Sequence, residues 1–97
     1  MKERHDVSLR DLTSLLDQAL SAENDEALLN HRQQYQQLVL NAPKVLEATG
    51  EEEEVVRDLA WDLEFYDPFE TDPAFFGFAK AKEKIREALH ALGGREA

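Results

Sequence analysis

The chain has 97 residues, no cysteine and a formal net charge of −10. Such a length supports one domain with a single modest core. The absence of cysteine excludes a disulfide framework, a thiolate metal site and a Cys nucleophile, and it fits a reducing cytosol. The acidic balance disfavours binding to nucleic-acid phosphates and to anionic membranes. No apolar run approaches the roughly 18 residues that span a bilayer, and the polar start Met1–Asp6 leads into no apolar signal segment.

The apolar spacing is helical throughout and no segment alternates strictly, so the chain reads as all-α. The first helix is expected from about Ser8 to Ser21. Ser8 is its N-cap, and Leu9, Leu12, Leu15, Leu16, Ala19 and Leu20 form one stripe. After the turn Glu23-Asn24-Asp25, a second helix is expected from Asp25 to Asn41, with Asp25 as its cap. Its inner stripe is Leu28, Tyr35, Leu38 and Val39, with His31 and Arg32 near the edge, while Gln33, Gln34, Gln36 and Gln37 mostly face solvent. Pro43 interrupts the pattern and can open a short extra helix to Ala48, burying Val45 and Leu46.

A third helix is expected from Gly50 to Tyr66. Thr49 and Glu52 have capping-box spacing, and the run Glu51–Glu54 lies where the helix dipole favours negative charge. That gives the Glu run a structural explanation. The pairs Asp67-Pro68 and Asp72-Pro73 punctuate a loop to Gly77, and Phe69, Phe75, Phe76 and Phe78 suggest that it folds back onto the core. The last helix runs from Phe78 to Leu92, with Ala81, Ile85, Ala88, Leu89 and Leu92 inward and Lys80, Lys82, Lys84 and Arg86 on the other side. Gly93-Gly94 stops it. The expected architecture is one antiparallel four-helix bundle over residues 1–97, frayed at 1–7 and 93–97, with the short extra helix after Pro43.

Charge is distributed unevenly along this frame. Between Glu47 and Asp72 there are eleven acidic residues and one base, Arg57, so this stretch alone carries −10. It also holds Trp61, Phe65, Tyr66 and Phe69. Acid mixed with aromatics is the composition of a surface that meets a basic partner. A solvated acidic helix with core aromatics is the plainer reading of the same residues.

At about 100° per residue, Val55, Val56, Leu59, Leu63 and Tyr66 cluster as a core stripe of the third helix, and Trp61 and Phe65 lie nearly opposite. Arg57, Asp58 and Glu64 surround them. Either the two rings pack under the Asp67–Gly77 loop, or they are partly exposed anchors ringed by acid. Both can hold, with one ring buried and the other at the surface.

Features of an enzyme are not apparent. His5, His31 and His90 are dispersed, without His-x-x-x-His spacing. Glu87 and His90 form a single Glu-x-x-His, whereas a di-iron bundle needs two with further carboxylates. His90 is better placed as a favourable charge near a helix C-terminus. There is no glycine-rich phosphate loop and no calcium-loop pattern. Ser8, Ser14 and Ser21 lack a nearby His–acid context. No cofactor, no metal and no catalytic residue is expected.

The run Val55-Val56-Arg57-Asp58-Leu59-Ala60-Trp61-Asp62-Leu63-Glu64-Phe65-Tyr66-Asp67-Pro68 continues through an acidic loop into Ile85-Arg86-Glu87-Ala88-Leu89. This pattern of apolar, acidic and aromatic positions resembles the colicin-D-type self-protective immunity proteins of bacteria, over Val55–Leu92. The resemblance implies a small acidic cytoplasmic helical protein that binds the active site of a nuclease toxin and places carboxylates where RNA phosphates would sit. Carried onto this sequence, the partner-binding residues are Asp58, Asp62, Glu64, Asp67, Glu70 and Asp72, with Trp61 and Phe65 as anchors. The expectation is a non-catalytic toxin-binding protein, a monomer or weak homodimer, that contacts neither nucleic acid nor membrane. The alternative is a small structural or regulatory helical adaptor, or a dimerising accessory protein, whose acid serves solubility.

Overall fold

The computed structural model describes residues 6–69 and 74–92. Its elements are strand β1 (Val7–Ser8), helices α1 (Leu9–Leu20) and α2 (Asp25–Asn41), strand β2 (Val45–Leu46), helix α3 (Gly50–Asp62), a 3₁₀ turn (Leu63–Phe65) and helix α4 (Phe78–Ala91). Helix α1 packs on α2 and α4, α2 on α3, and α3 on α4, which closes a four-helix bundle. The fold is the expected small all-α bundle, with one two-stranded addition.

Local chemistry explains the helix starts. Ser8 Oγ accepts from Asp11 N at 3.1 Å. Thr49 Oγ1 accepts from Glu52 N at 3.1 Å while Glu52 Oε1 accepts from Thr49 N at 2.9 Å, a complete capping box. Asn24, not Asp25, caps α2, its Oδ1 accepting from Ala27 N at 2.8 Å. Asp25 is thereby left to accept from Tyr66 Oη at 2.5 Å, across the bundle.

The core follows the expected stripes. Leu12, Leu16, Leu28, Tyr35, Val39, Val56, Leu59, Leu63, Tyr66, Ala81 and Ile85 are all buried. Leu38 departs from its expected place and is exposed, because it lies off the line through Leu28, Tyr35 and Val39.

The short helix expected after Pro43 is not formed. Residues Val45–Leu46 are instead a strand, paired in parallel with Val7–Ser8. The physical reason is long-range: Val7 N donates to Lys44 O, and Val7 and Val45 are both buried in the core. Val7 is therefore not frayed, and Leu46 points outward. Glu47 then turns the chain toward α3 with φ at 67°, in the left-handed region. Helix α3 ends at Asp62, earlier than expected, and tightens into the 3₁₀ turn before Tyr66.

None of α1, α2 or α3 carries a base in its own last turn. Each end is served by a cation from a neighbouring element. Lys82 Nζ donates to Ala22 O just beyond α1 at 2.8 Å. Arg57 donates to Val39 O and Ala42 O at the end of α2, both at 3.2 Å. Arg32 donates to Leu63 O and Tyr66 O after α3, at 3.2 and 3.0 Å. Unpaired carbonyls at helix ends attract cations, and these three long side chains tie the bundle together while meeting that need.

Candidate functional site

The acidic stretch is rigidly framed by α2. Tyr35 Oη donates to Val56 O at 2.7 Å, and Gln36 Nε2 donates to Ala60 O at 3.0 Å. With the Arg32 and Arg57 bonds, they set α2 and α3 antiparallel: Arg32 reaches Leu63 and Tyr66 beyond the end of α3, whereas Val39 and Ala42 are reached from Arg57 in its middle. The buried face of α3 is thereby fixed, and so is what it leaves outside.

Trp61 is left outside: it is 69% exposed. Its ring meets Phe65 edge to face, with centroids 6.5 Å apart. Phe65 is half-buried and in turn packs against Phe75, at 6.1 Å. The loop brings Phe75 there by folding back on itself. Asp67 N donates to Phe76 O and Phe76 N donates to Phe65 O, at 2.9 and 3.0 Å, and Phe76 stacks on Tyr66. Trp61 is thus the surface ring and Phe65 the half-buried one, supported by the returning loop.

The acidic residues divide around this aromatic ridge. Asp58 and Asp62 share a shallow depression between α3 and α4 with Lys84 and Glu87. Neither aspartate makes an ion pair among the described residues, and the Lys84 ammonium lies 5.3 Å from the Phe76 ring centroid. Glu64 lies on the opposite flank, facing α2, where its Oε2 accepts from Gln36 Nε2 at 3.2 Å. Arg57, the one base of the stretch, is engaged internally: it pairs with Glu53 at 2.8 Å besides its two carbonyls. Among the described residues it leaves Asp58, Asp62 and Glu64 without an ion-pair partner.

Asp67, expected as a partner contact, also has a local structural role. Its Oδ1 accepts from Phe69 N at 2.9 Å and shapes the turn at Pro68. Glu70 and Asp72 lie outside the described residues, as do Gly93 and Gly94. Leu40, 67% exposed beside Trp61, was not among the expected site residues, and Phe75 was expected only to fold back with the loop. The signal for Leu40 was present: a leucine one residue beyond Val39 falls off the buried stripe of α2.

Two tyrosine phenols are held above their ordinary range. Burial pushes the Tyr35 phenol well above its ordinary value. Tyr66 is raised by burial first, then by its bond to Asp25 and that carboxylate's charge, against the lowering effect of Arg32. Both stay protonated and act as structural donors. Among the described residues no group of three or more His, Cys, Asp or Glu side chains is placed to hold a metal ion, and no helix is long and apolar enough to cross a membrane. The arrangement is an exposed indole with Asp58 and Asp62 on one side and Glu64, bonded to Gln36, on the other. Compared with protein-family models, with curated proteins and with solved structures, the chain finds no match.

Proposed function

We propose that this chain is a non-catalytic binding protein that neutralises a cationic partner, a bacteriocin-type nuclease toxin, as an immunity protein of the producing cell's cytoplasm. The observation that carries the reading is Trp61, 69% exposed between Glu64 on one flank and Asp58 and Asp62 on the other. An exposed tryptophan is costly to leave in water, and tryptophans are enriched among residues that dominate binding energy. Open carboxylates around it would steer a basic protein to the surface and repel nucleic acid. The resemblance over Val55–Leu92 supplies the kind of partner, and a cationic RNase cleft has the matching charge.

Capture from the native host, followed by an activity assay, tests this. The expected result is a basic nuclease that is inhibited stoichiometrically, and whose toxicity to cells is relieved by co-expression of this chain. Capture of a neutral or acidic protein, or of a nuclease that stays active in the complex, would contradict it.

A further inference from the structure

Between α2 and α3 runs a groove of about 460 Å³. Leu40 forms one wall, Ala60 the floor, and the aromatic row Trp61–Phe65–Phe75 the other wall. Two polar residues line it, and they are not equivalent. The Arg57 guanidinium is engaged with Glu53, Val39 O and Ala42 O. Glu64 is held by Gln36, itself fixed to Ala60 O, and one carboxylate oxygen accepts nothing among the described residues. The groove therefore presents a preformed apolar cleft with one fixed, open negative charge.

That combination selects the occupant. A second copy of this chain, at −10, would bring a like-charged surface to a carboxylate-flanked groove, which costs binding energy. A side chain with an apolar stem and a cationic head satisfies both halves of the lining, because Lys and Arg lay their stems on apolar surface and Arg also stacks on aromatic faces. We infer that the α2–α3 groove seats an amphipathic cationic helix of the protein partner. An apolar residue of that helix lies between Leu40 and Trp61, and an Arg or Lys reaches Glu64. This mode is the laying of an apolar helix face into a groove. It rests on the partner being cationic, as proposed above, and adds to Asp58 and Asp62 a second contact on the opposite flank of Trp61.

Trp61 is the only tryptophan in the chain, so its emission reports the groove directly. The probe is a synthetic Trp-free peptide with Leu on one helical face and Arg on the other. Its control is the same composition scrambled so that no face forms. The amphipathic peptide should give a saturable blue shift of Trp61. Leu40→Ser, at an exposed position, should abolish that shift with the melting curve unchanged, and Glu64→Lys should weaken binding by about tenfold or more. Equal shifts from the scrambled peptide, no shift at all, or indifference to both substitutions would overturn the inference. So would a blue shift that grows with protein concentration alone, which would give the groove to a second copy. The two proposals fail separately. If Asp58→Lys with Asp62→Lys weakens a captured basic partner and Leu40→Ser does not, the groove assignment is wrong and the cationic partner stands. If capture yields no basic protein while the peptide still docks, the reverse holds.

Discussion

Arg32 and Arg57 close the ends of each other's helices. Arg57 projects from α3 to the last carbonyls of α2, and Arg32 projects from α2 to the carbonyls that follow α3. Arg32 also lies 5.8 Å from the centroid of the Tyr66 ring. The exchange explains a feature of the surface as well as of the bundle. The one base within the acidic stretch faces inward to α2, so the carboxylates beyond it stay open.

Removing the Arg57 fork should therefore destabilise the fold. Arg57→Met keeps much of the stem but strands Ala42 O and Glu53 and leaves Val39 O only its bond from Ala42 N. The side chain is 36% exposed, so water recovers part of the loss, and about 1–3 kcal/mol is expected in urea titrations. Arg57→Lys should recover only part of it, because an ammonium lacks the planar fork that reaches three acceptors at once.

Leu59 and Leu63 are 4% and 1% exposed and face the core from α3 and the 3₁₀ turn. Leu59→Ala and Leu63→Ala should each cost about 2–5 kcal/mol, the range for buried leucines that leave a cavity. Trp61→Ala should shift stability by about 0.5 kcal/mol or less, as exposed substitutions do. Thermal melts of the three variants side by side check the assignment of the buried face.

Alkaline pH should weaken the fold through its tyrosines. Tyr35 and Tyr66 both titrate above their ordinary value when folded. The neutral phenols thus contribute stability that is complete below the unfolded value of about 10. As pH rises past that point the unfolded chain loses protons first, and stability falls. The melting temperature should decline more steeply above this point in the wild type than in Tyr35→Phe. Tyr35→Phe itself should cost about 1 kcal/mol at neutral pH for its lost bond to Val56 O.

The four helices were legible because their signals are local. Ser8, Thr49 with Glu52, and the leucine stripes each act within a turn or two of sequence. What was not legible depends on residues far apart. Val45–Leu46 became a strand because Val7 lies beside it, and nothing near Pro43 announces that pairing. Asp25 looked like a cap because its partner, Tyr66, is on the far side of the bundle. Helical geometry placed Trp61 and Phe65 together opposite the core stripe. Which ring would be covered was decided by Phe75, through the return of the loop along Tyr66–Phe76. The acidic residues were found by composition, but their division into two banks, and the structural duty of Asp67, needed the fold.

Glu47 offers a check on the strand that replaced the expected helix. Its φ of 67° is unfavourable for a residue with a Cβ. Glu47→Gly should be neutral or stabilising by up to about 1 kcal/mol, the relief of the left-handed strain less the added freedom of the unfolded chain. A clear loss of stability in a calorimetric melt would mean that the turn after β2 is not the one described.

The open carboxylates around Trp61 are proposed to form the surface that meets a cationic partner. The most direct measurement is the affinity of the captured partner for two triple variants, with salt varied. One is Asp58→Lys, Asp62→Lys and Glu64→Lys together, on the flanks of Trp61. The other is Asp11→Lys, Asp17→Lys and Glu23→Lys, all exposed on or just after α1. Both should fold and melt cooperatively, since exposed charges contribute only about 0–1 kcal/mol each. The first should lose binding, because like charges would then face each other across the interface. The second should bind as the wild type does, with affinity falling as salt rises, over a screening length of about 8 Å at physiological ionic strength. Equal binding by the two variants, or an affinity indifferent to salt, would contradict the account and leave the acidic stretch as a solubilising face.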